Sequence, residues 1–321
     1  MKTRLLLLAL APDHFYRDPL LHGFEQRFIG PDVSTHSHGL LFGRAIRADL
    51  QDLSCRDLLG MLSNMQFQPD ITFVKADASC RNHVRDIEFL PGRKVLLMGD
   101  THHMKKPLQT MLAYAQSEPW DLISSEHDRH HLPLFVKAGL KQLIWLPCFT
   151  MNPHRLHPQL LVDIRPVFVG SLSHHHQQRQ RLLAQLQSLG ITLKFTTAPQ
   201  VEAAKLYNCH SISLNVSLNG DLNFRIMEVL AAGGCLLTDR LGPDSGLDLL
   251  LAEGVHYLAY SSAAEAANKI QWLQGHPEER LAIARSGFDR FWTNFAPEVQ
   301  GKALLAALNG RPFPELFRSP Q

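Results

Sequence analysis

The stretch Tyr207-Asn-Cys-His-Ser-Ile-Ser-Leu-Asn215, continued by Val216-Ser-Leu-Asn-Gly-Asp-Leu-Asn-Phe-Arg225-Ile-Met-Glu228-Val-Leu-Ala-Ala-Gly-Gly-Cys-Leu-Leu-Thr-Asp239, decides the fold. It reads as a strand (Ile212 to Asn215), a polar loop containing a glycine, a helix from about Asn223 to Ala232, a double-glycine break and a second strand. A strand, loop, helix and strand in that order is half of a parallel α/β sheet. In such sheets ligands sit at the carboxyl ends of the strands, and a loop entering a helix N-terminus turns free amides toward a phosphate. Arg225 and Glu228 are three residues apart at the start of the helix and share a face. There, an arginine can fork onto a diphosphate and a carboxylate can accept ribose hydroxyls; an exposed intrahelical ion pair is the plainer alternative.

Outward from this segment, apolar runs of strand length alternate with helix-period segments along the whole chain. The runs are Leu5 to Ala11, Ile71 to Lys75, Val95 to Met98, Leu122 to Ser124 and Leu143 to Leu146, then Val167 to Val169, Leu193 to Phe195, Ile212 to Asn215 and Gly234 to Thr238. Nearly continuous apolar strands imply parallel sheets buried on both faces. The two groups are separated by Pro147 to Pro166, where prolines at 147, 153, 158 and 166 oppose both helix and central strand. The expected organisation is a first Rossmann-like domain over 1–150, a second over 151–300, and a helix and tail over 301–321 returning to the first. Gln177 to Leu189 places Leu182, Leu183, Leu186 and Leu189 at helical spacing before Gly190, so it should pack on the second sheet. Pro277 to Phe291 and Pro297 to Leu308 read as two further amphipathic helices.

A chain of 321 residues, 45% hydrophobic and 19% charged, has material for two cores. A net charge of +2, with no basic run beyond Lys105-Lys106, gives no electrostatic case for nucleic acid. The five cysteines form no Cys-x-x-Cys pair, which argues against a disulfide framework or zinc ribbon and suits a reducing, cytoplasmic setting. Lys2 and Arg4 before Leu5 to Ala11 imitate a signal peptide, but the apolar core is very short, and a buried first strand is the expectation. No stretch is long enough to span a bilayer, leaving at most peripheral membrane association.

The run Asn223-Phe-Arg-Ile-Met-Glu228-Val-Leu-Ala-Ala-Gly-Gly resembles the donor-site signature of retaining GT-B glycosyltransferases of the group 1 type. It is most similar to their spore-maturation-type (CgeB-like) branch, with its Asn-x-Arg-x-x-Glu-x-x-Ala-x-Gly-Gly pattern. Val167-Phe-Val-Gly170-Ser171, Arg179 to Leu183, Leu206-Tyr-Asn and Pro277-Glu-Glu-Arg280 match in kind. The likeness is good over roughly Val167 to Leu308, loose over Val95 to Pro147, and slight before Val95.

The resemblance implies two Rossmann-like domains facing across a cleft, the second binding a nucleotide sugar and the first an acceptor. It implies a hexosyltransferase-type activity, retaining and metal-independent, with no cofactor, the UDP-sugar or GDP-sugar being the donor substrate. Glu228 would hold the ribose, and Asn223, Phe224 and the helix N-terminus would line the diphosphate site. Gly170 and Ser171 would let the backbone approach the phosphates, and Arg179 or Arg225 would neutralise the leaving diphosphate. One departure stands out. Relatives carry a second glutamate eight positions before the first, where this chain has Gly220 with Asp221 beside it. The acceptor is a glycan, a protein or a small molecule. Two rival readings are a nucleotide-sugar epimerase-like enzyme and a non-catalytic GT-B binding subunit.

Histidines supply the remaining candidates. Val95 to Met98 runs into Gly99-Asp100-Thr101-His102-His103, placing Asp100, His102 and His103 at the carboxyl end of a first-domain strand, where a group that deprotonates an acceptor would sit. His127 follows the strand Leu122 to Ser124 and His174 follows Gly170-Ser171, both as candidates to line the cleft. No metal is expected, because nothing places further ligands around His127 and His130 or His131. Tyr207 is expected to pack rather than to stack on a base.

Overall fold

The computed structural model describes residues 3–10, 24–32, 45–99, 101, 104–126, 129–172 and 176–318. The chain divides into two compact units, one of residues 1–150 with 297–321 and one of residues 151–296.

In the first unit the elements are β1 (Thr3–Leu8), β2 (Phe24–Gly30), β3 (Ala45–Arg47), α1 (Cys55–Asn64), β4 (Ile71–Ala76), β5 (Arg93–Met98), α2 (Pro107–Ser117), β6 (Leu122–Ser125), α3 (Leu132–Lys137) and β7 (Leu143–Trp145). Seven parallel strands run in the order β3-β2-β1-β4-β5-β6-β7. The leucine run near the start is a central strand, paired with β2 on one side and β4 on the other. Leu5 to Leu8 are sealed from water on both faces, each contributing about 1.5–3 kcal/mol of burial. The sequence reading leaves out β2 and β3 for physical reasons. The first half of β2, Phe24-Glu-Gln-Arg27, is only half-buried and polar, with Arg27 donating to the Gln26 carbonyl and the Glu25 carboxylate. β3 is a three-residue edge strand.

The second unit holds β8 (Val167–Val169), α4 (Gln177–Ser188), β9 (Lys194–Thr196), α5 (Gln200–Cys209), β10 (Ser213–Asn215), α6 (Phe224–Ala231), β11 (Leu236–Asp239), α7 (Leu247–Leu250), β12 (Leu258–Tyr260), α8 (Ala263–Gly275) and α9 (Pro277–Asn294). Its five strands are parallel in the order β12-β11-β10-β8-β9. β12 is short and absent from the sequence reading. The core gathers Phe168, Leu182, Leu186, Ile212, Leu214, Leu237, Tyr260 and Ile270 between sheet and helices. Leu182, Leu183 and Leu186 pack as their spacing predicts. Leu189 does not: it is the C-cap of α4, past the last buried turn, and largely exposed.

Residues 146–166 contain neither helix nor strand, in keeping with their prolines. The second half of this segment is held on the second unit, where Arg280 donates to the carbonyls of Gln159 and Leu160 and Asn208 to that of His157. Gly233, at φ +69°, lies so close to this segment that a Cβ there would sit 2.5 Å from the Leu156 carbonyl oxygen. That contact requires the first glycine of the pair, and the second, Gly234, is required by the Tyr207 carbonyl oxygen, 2.6 Å from where its Cβ would stand. The chain returns to the first unit at α10 (Pro297–Leu308), where Gln300 donates to the Pro147 carbonyl and Arg93 to that of Leu308.

Candidate functional site

The carboxyl ends of β8 and β10 and the N-terminus of α6 converge in the second unit. Arg225, in the first turn of α6, donates from Nε to the Val169 carbonyl at 2.8 Å and from Nη1 to Asn215 Oδ1 at 2.9 Å. Its guanidinium lies 4.6 Å from the centre of the Phe168 ring. Asn215 is oriented by donating its amide to Thr238 Oγ1 at 2.9 Å, which leaves the oxygen for the arginine. Gly170 completes the fit, since a Cβ there would fall 2.4 Å from Arg225 Nη2.

A second guanidinium joins the first. Arg179, on α4 and only 8% exposed, donates from Nε to the Val216 carbonyl at 3.2 Å and approaches the Ser171 carbonyl at 3.5 Å. Burial, and then repulsion from Arg225, lower its pKa to about 10; Asp221 and Asp239 pull the other way. Two arginines sharing the rim of one aromatic ring are an unfavourable arrangement in the empty protein, and an anion relieves it.

Glu228 follows one turn further along α6. Desolvation raises its carboxyl above the usual glutamate range, opposed by the charge of Arg225 and by a hydrogen bond from Tyr207. The buried Tyr207 hydroxyl reaches both Arg225 and Glu228, and desolvation with the glutamate's charge pushes it well above the ordinary tyrosine range. Tyr207 therefore packs, as expected, and also ties two site residues together. Nothing in the local sequence signals this second role, because the contact joins α5 to α6.

At the head of α6, Asn223 stands in the N-cap position with extended backbone, yet its side chain caps nothing. Both its amide nitrogen and its oxygen are shut off from water with no hydrogen-bond partner among the described residues. Leaving such groups unpaired costs about 1–3 kcal/mol each, so this amide is poised for a ligand. Phe224, the first residue of α6, is half-buried.

The structure thus gathers Gly170, Ser171, Arg179, Asn223, Phe224, Arg225 and Glu228 at one end of the second sheet. Gly220 adopts φ +75° with open space where a Cβ would point. Asp221 Oδ1 accepts from the Leu218 and Asn219 amides within its own loop. Asp100, His102, His103, His127 and His174 lie outside the described residues. At the carboxyl end of the first sheet the described groups are different ones. Lys75 pairs with the buried Glu126 at 3.1 Å, Glu126 also accepts from the Thr150 amide at 2.9 Å, and Thr101 bonds His131 Nδ1 at 2.7 Å. No three His, Cys, Asp or Glu side chains among the described residues gather as a metal site.

Residues 173–306 match a family model described as glycosyl transferase-like. Over that stretch the chain is similar to glycosyltransferases. Solved structures establish the architecture over nearly the whole chain. A sucrose-phosphate synthase from Thermosynechococcus elongatus is 12% identical with a TM-score of 0.66, covering 96% of this chain and 98% of its own. A glycosyltransferase from Rickettsia africae is 11% identical with a TM-score of 0.66, over 96% and 98% of the two chains. HepE from Anabaena, solved with UDP and glucose, is 11% identical with a TM-score of 0.66, over 96% and 100%. The fold is GT-B, two Rossmann-like parallel sheets of seven and five strands. No curated protein matches the sequence. No helix among the described residues is long and apolar enough to cross a membrane.

Proposed function

We propose that the chain transfers a sugar from a nucleoside-diphosphate sugar, a UDP-sugar in the first instance, to an acceptor held by the first unit. The observation that carries this reading is the unpartnered Asn223 amide at the head of α6 beside two adjacent guanidiniums. That is a place built for an anion with both donors and acceptors, which a diphosphate joined to a sugar supplies. The choice of UDP draws support from the HepE structures, solved with UDP and with UDP-glucose.

In this reading Arg225 and Arg179 fork onto the diphosphate while Asn223 hydrogen-bonds the phosphate or the adjoining sugar. Glu228 accepts the ribose hydroxyls, and Tyr207 keeps its carboxylate aimed. As the glycosidic bond to phosphate breaks, negative charge grows on the leaving diphosphate. The two guanidiniums, already desolvated and fixed by the Val169 and Val216 carbonyls, stabilise that charge without reorganising. The chemistry then needs no metal and no cofactor, and the configuration at the sugar is retained, as in the spore-maturation-type branch that the Asn223 to Gly234 motif resembles. Five cysteines, none in a disulfide, suit a cytoplasmic setting.

The test is a thermal-shift and calorimetric titration with UDP, GDP, ADP and their sugar conjugates, with and without EDTA. Selective stabilisation by one nucleotide that survives EDTA and is lost in Glu228→Ala supports the donor site. A folded protein indifferent to every nucleotide sinks it.

A further inference from the structure

The first unit carries a second feature that the donor site does not use. Between α2 and α3 lies a cavity of about 410 Å³ whose walls are Leu108, Leu112, Leu134 and Phe135, with Lys106 at its edge. Its volume falls in the range of small-molecule sites, roughly 300–1,000 Å³. Phe135 is fully buried, while Leu134 on the same wall is 53% exposed.

Lys106 lines the cavity and Lys105 stands beside it in the chain, both exposed and directly before α2. Neither helix contains an aspartate or glutamate, and none of the cavity's lining residues is acidic. α2 follows β5 and α3 follows β6, so the N-termini of both helices, with Lys106 and Pro107 of the cavity's lining, lie on the carboxyl-end side of the first sheet, where open α/β sheets bind their ligands.

We infer that this cavity binds an anionic amphiphile, its apolar chain lying between Leu108, Leu112, Leu134 and Phe135 and its anionic group, such as a phosphate, meeting Lys105 and Lys106. An uncharged apolar ligand leaves the lysines unused, and a simple anion leaves the apolar walls wet; only the two chemistries joined in one molecule satisfy both. If the first unit holds the acceptor, a step that rests on the proposed function, this amphiphile is the acceptor class.

The probe is octyl phosphate below its micelle-forming concentration, titrated calorimetrically into the full chain beside hexyl phosphate, octanol and inorganic phosphate. Saturable one-to-one binding of octyl phosphate is expected, about fourfold weaker for each methylene removed. Octanol and inorganic phosphate should bind at least about tenfold more weakly. Leu134→Asp and the double variant Lys105→Glu with Lys106→Glu sit at exposed positions that folding tolerates, and each should weaken octyl phosphate at least about tenfold while leaving UDP binding intact. Octyl phosphate binding without any UDP binding supports the cavity and counts only against the donor reading. Octyl phosphate no better than inorganic phosphate, or unaffected by both variants, overturns the inference. So does association with phosphatidylglycerol vesicles without saturable binding of the monomeric probe, which would make this face a membrane surface.

Discussion

Arg225 occupies the space that a side chain at Gly170 would need, with Nη2 lying 2.4 Å from where a Cβ would stand. The glycine is therefore a condition of the arginine's position rather than of the turn. Gly170→Ala should push the guanidinium off the Val169 carbonyl and Asn215, with little cost to the fold because a flexible side-chain end is what moves. Turnover should fall by about a hundredfold to a thousandfold, the scale of losing one donor aligned on developing charge, with thermal stability changed by less than about 1 kcal/mol. Steady-state kinetics beside a melting curve tests both halves; equal loss of stability and activity would place the glycine's role in folding.

Asn223→Ala separates a binding amide from a structural cap. Replacing a true N-cap asparagine costs about 0.5–2 kcal/mol, but this side chain caps nothing and its polar atoms are unpaired. The variant should melt at or above the wild-type temperature while nucleotide affinity drops about tenfold. A clear fall in melting temperature with affinity unchanged would contradict the assignment.

The raised carboxyl of Glu228 sets a pH signature. The folded protein holds this proton to higher pH than the unfolded chain does, so the group opposes folding increasingly as pH rises above the ordinary glutamate range. Glu228→Gln removes that penalty. The melting-temperature difference, variant minus wild type and without ligand, should be near zero at acid pH and grow positive toward neutrality, while stabilisation by UDP disappears. A difference that is flat across pH would show that the carboxylate is not strained in the empty site.

Lys75 and Glu126 join the carboxyl ends of two first-sheet strands through a pair whose acid is almost fully buried. Glu126→Ala removes the charge partner of Lys75, leaving it the Thr150 hydroxyl, and frees the Thr150 amide, at a cost of about 3 kcal/mol. Adding Lys75→Met should restore part of that loss, because the uncompensated charge is gone. Chemical denaturation of the single and double variants measures it; a double variant weaker than the single would mean that the Lys75 bond to the Thr150 hydroxyl outweighs the relief of its unpaired charge.

Much of this protein was legible along the chain. Alternating apolar runs predict two parallel sheets because a strand covered on both faces has no polar side to show, and the prolines of residues 147–166 mark where one group of strands ends. Arg225 and Glu228 were readable for the same local reason, since helical periodicity puts residues three apart on one face. β3 and β12 were not, because edge position and short length leave no apolar excess to read, and β2 was not, because its first half is polar and half-buried. Tyr207 behind Glu228, Asn215 orienting Arg225, and Asp221 turned into its own loop needed the tertiary structure. Each is a contact between elements far apart in the chain, or a choice of rotamer, and neither leaves a period or a composition in the sequence. The first-unit cavity is of the same kind: nothing along Pro107–Ser117 or Leu132–Lys137 singles these segments out, and only their packing sets four apolar side chains opposite one another beside Lys106.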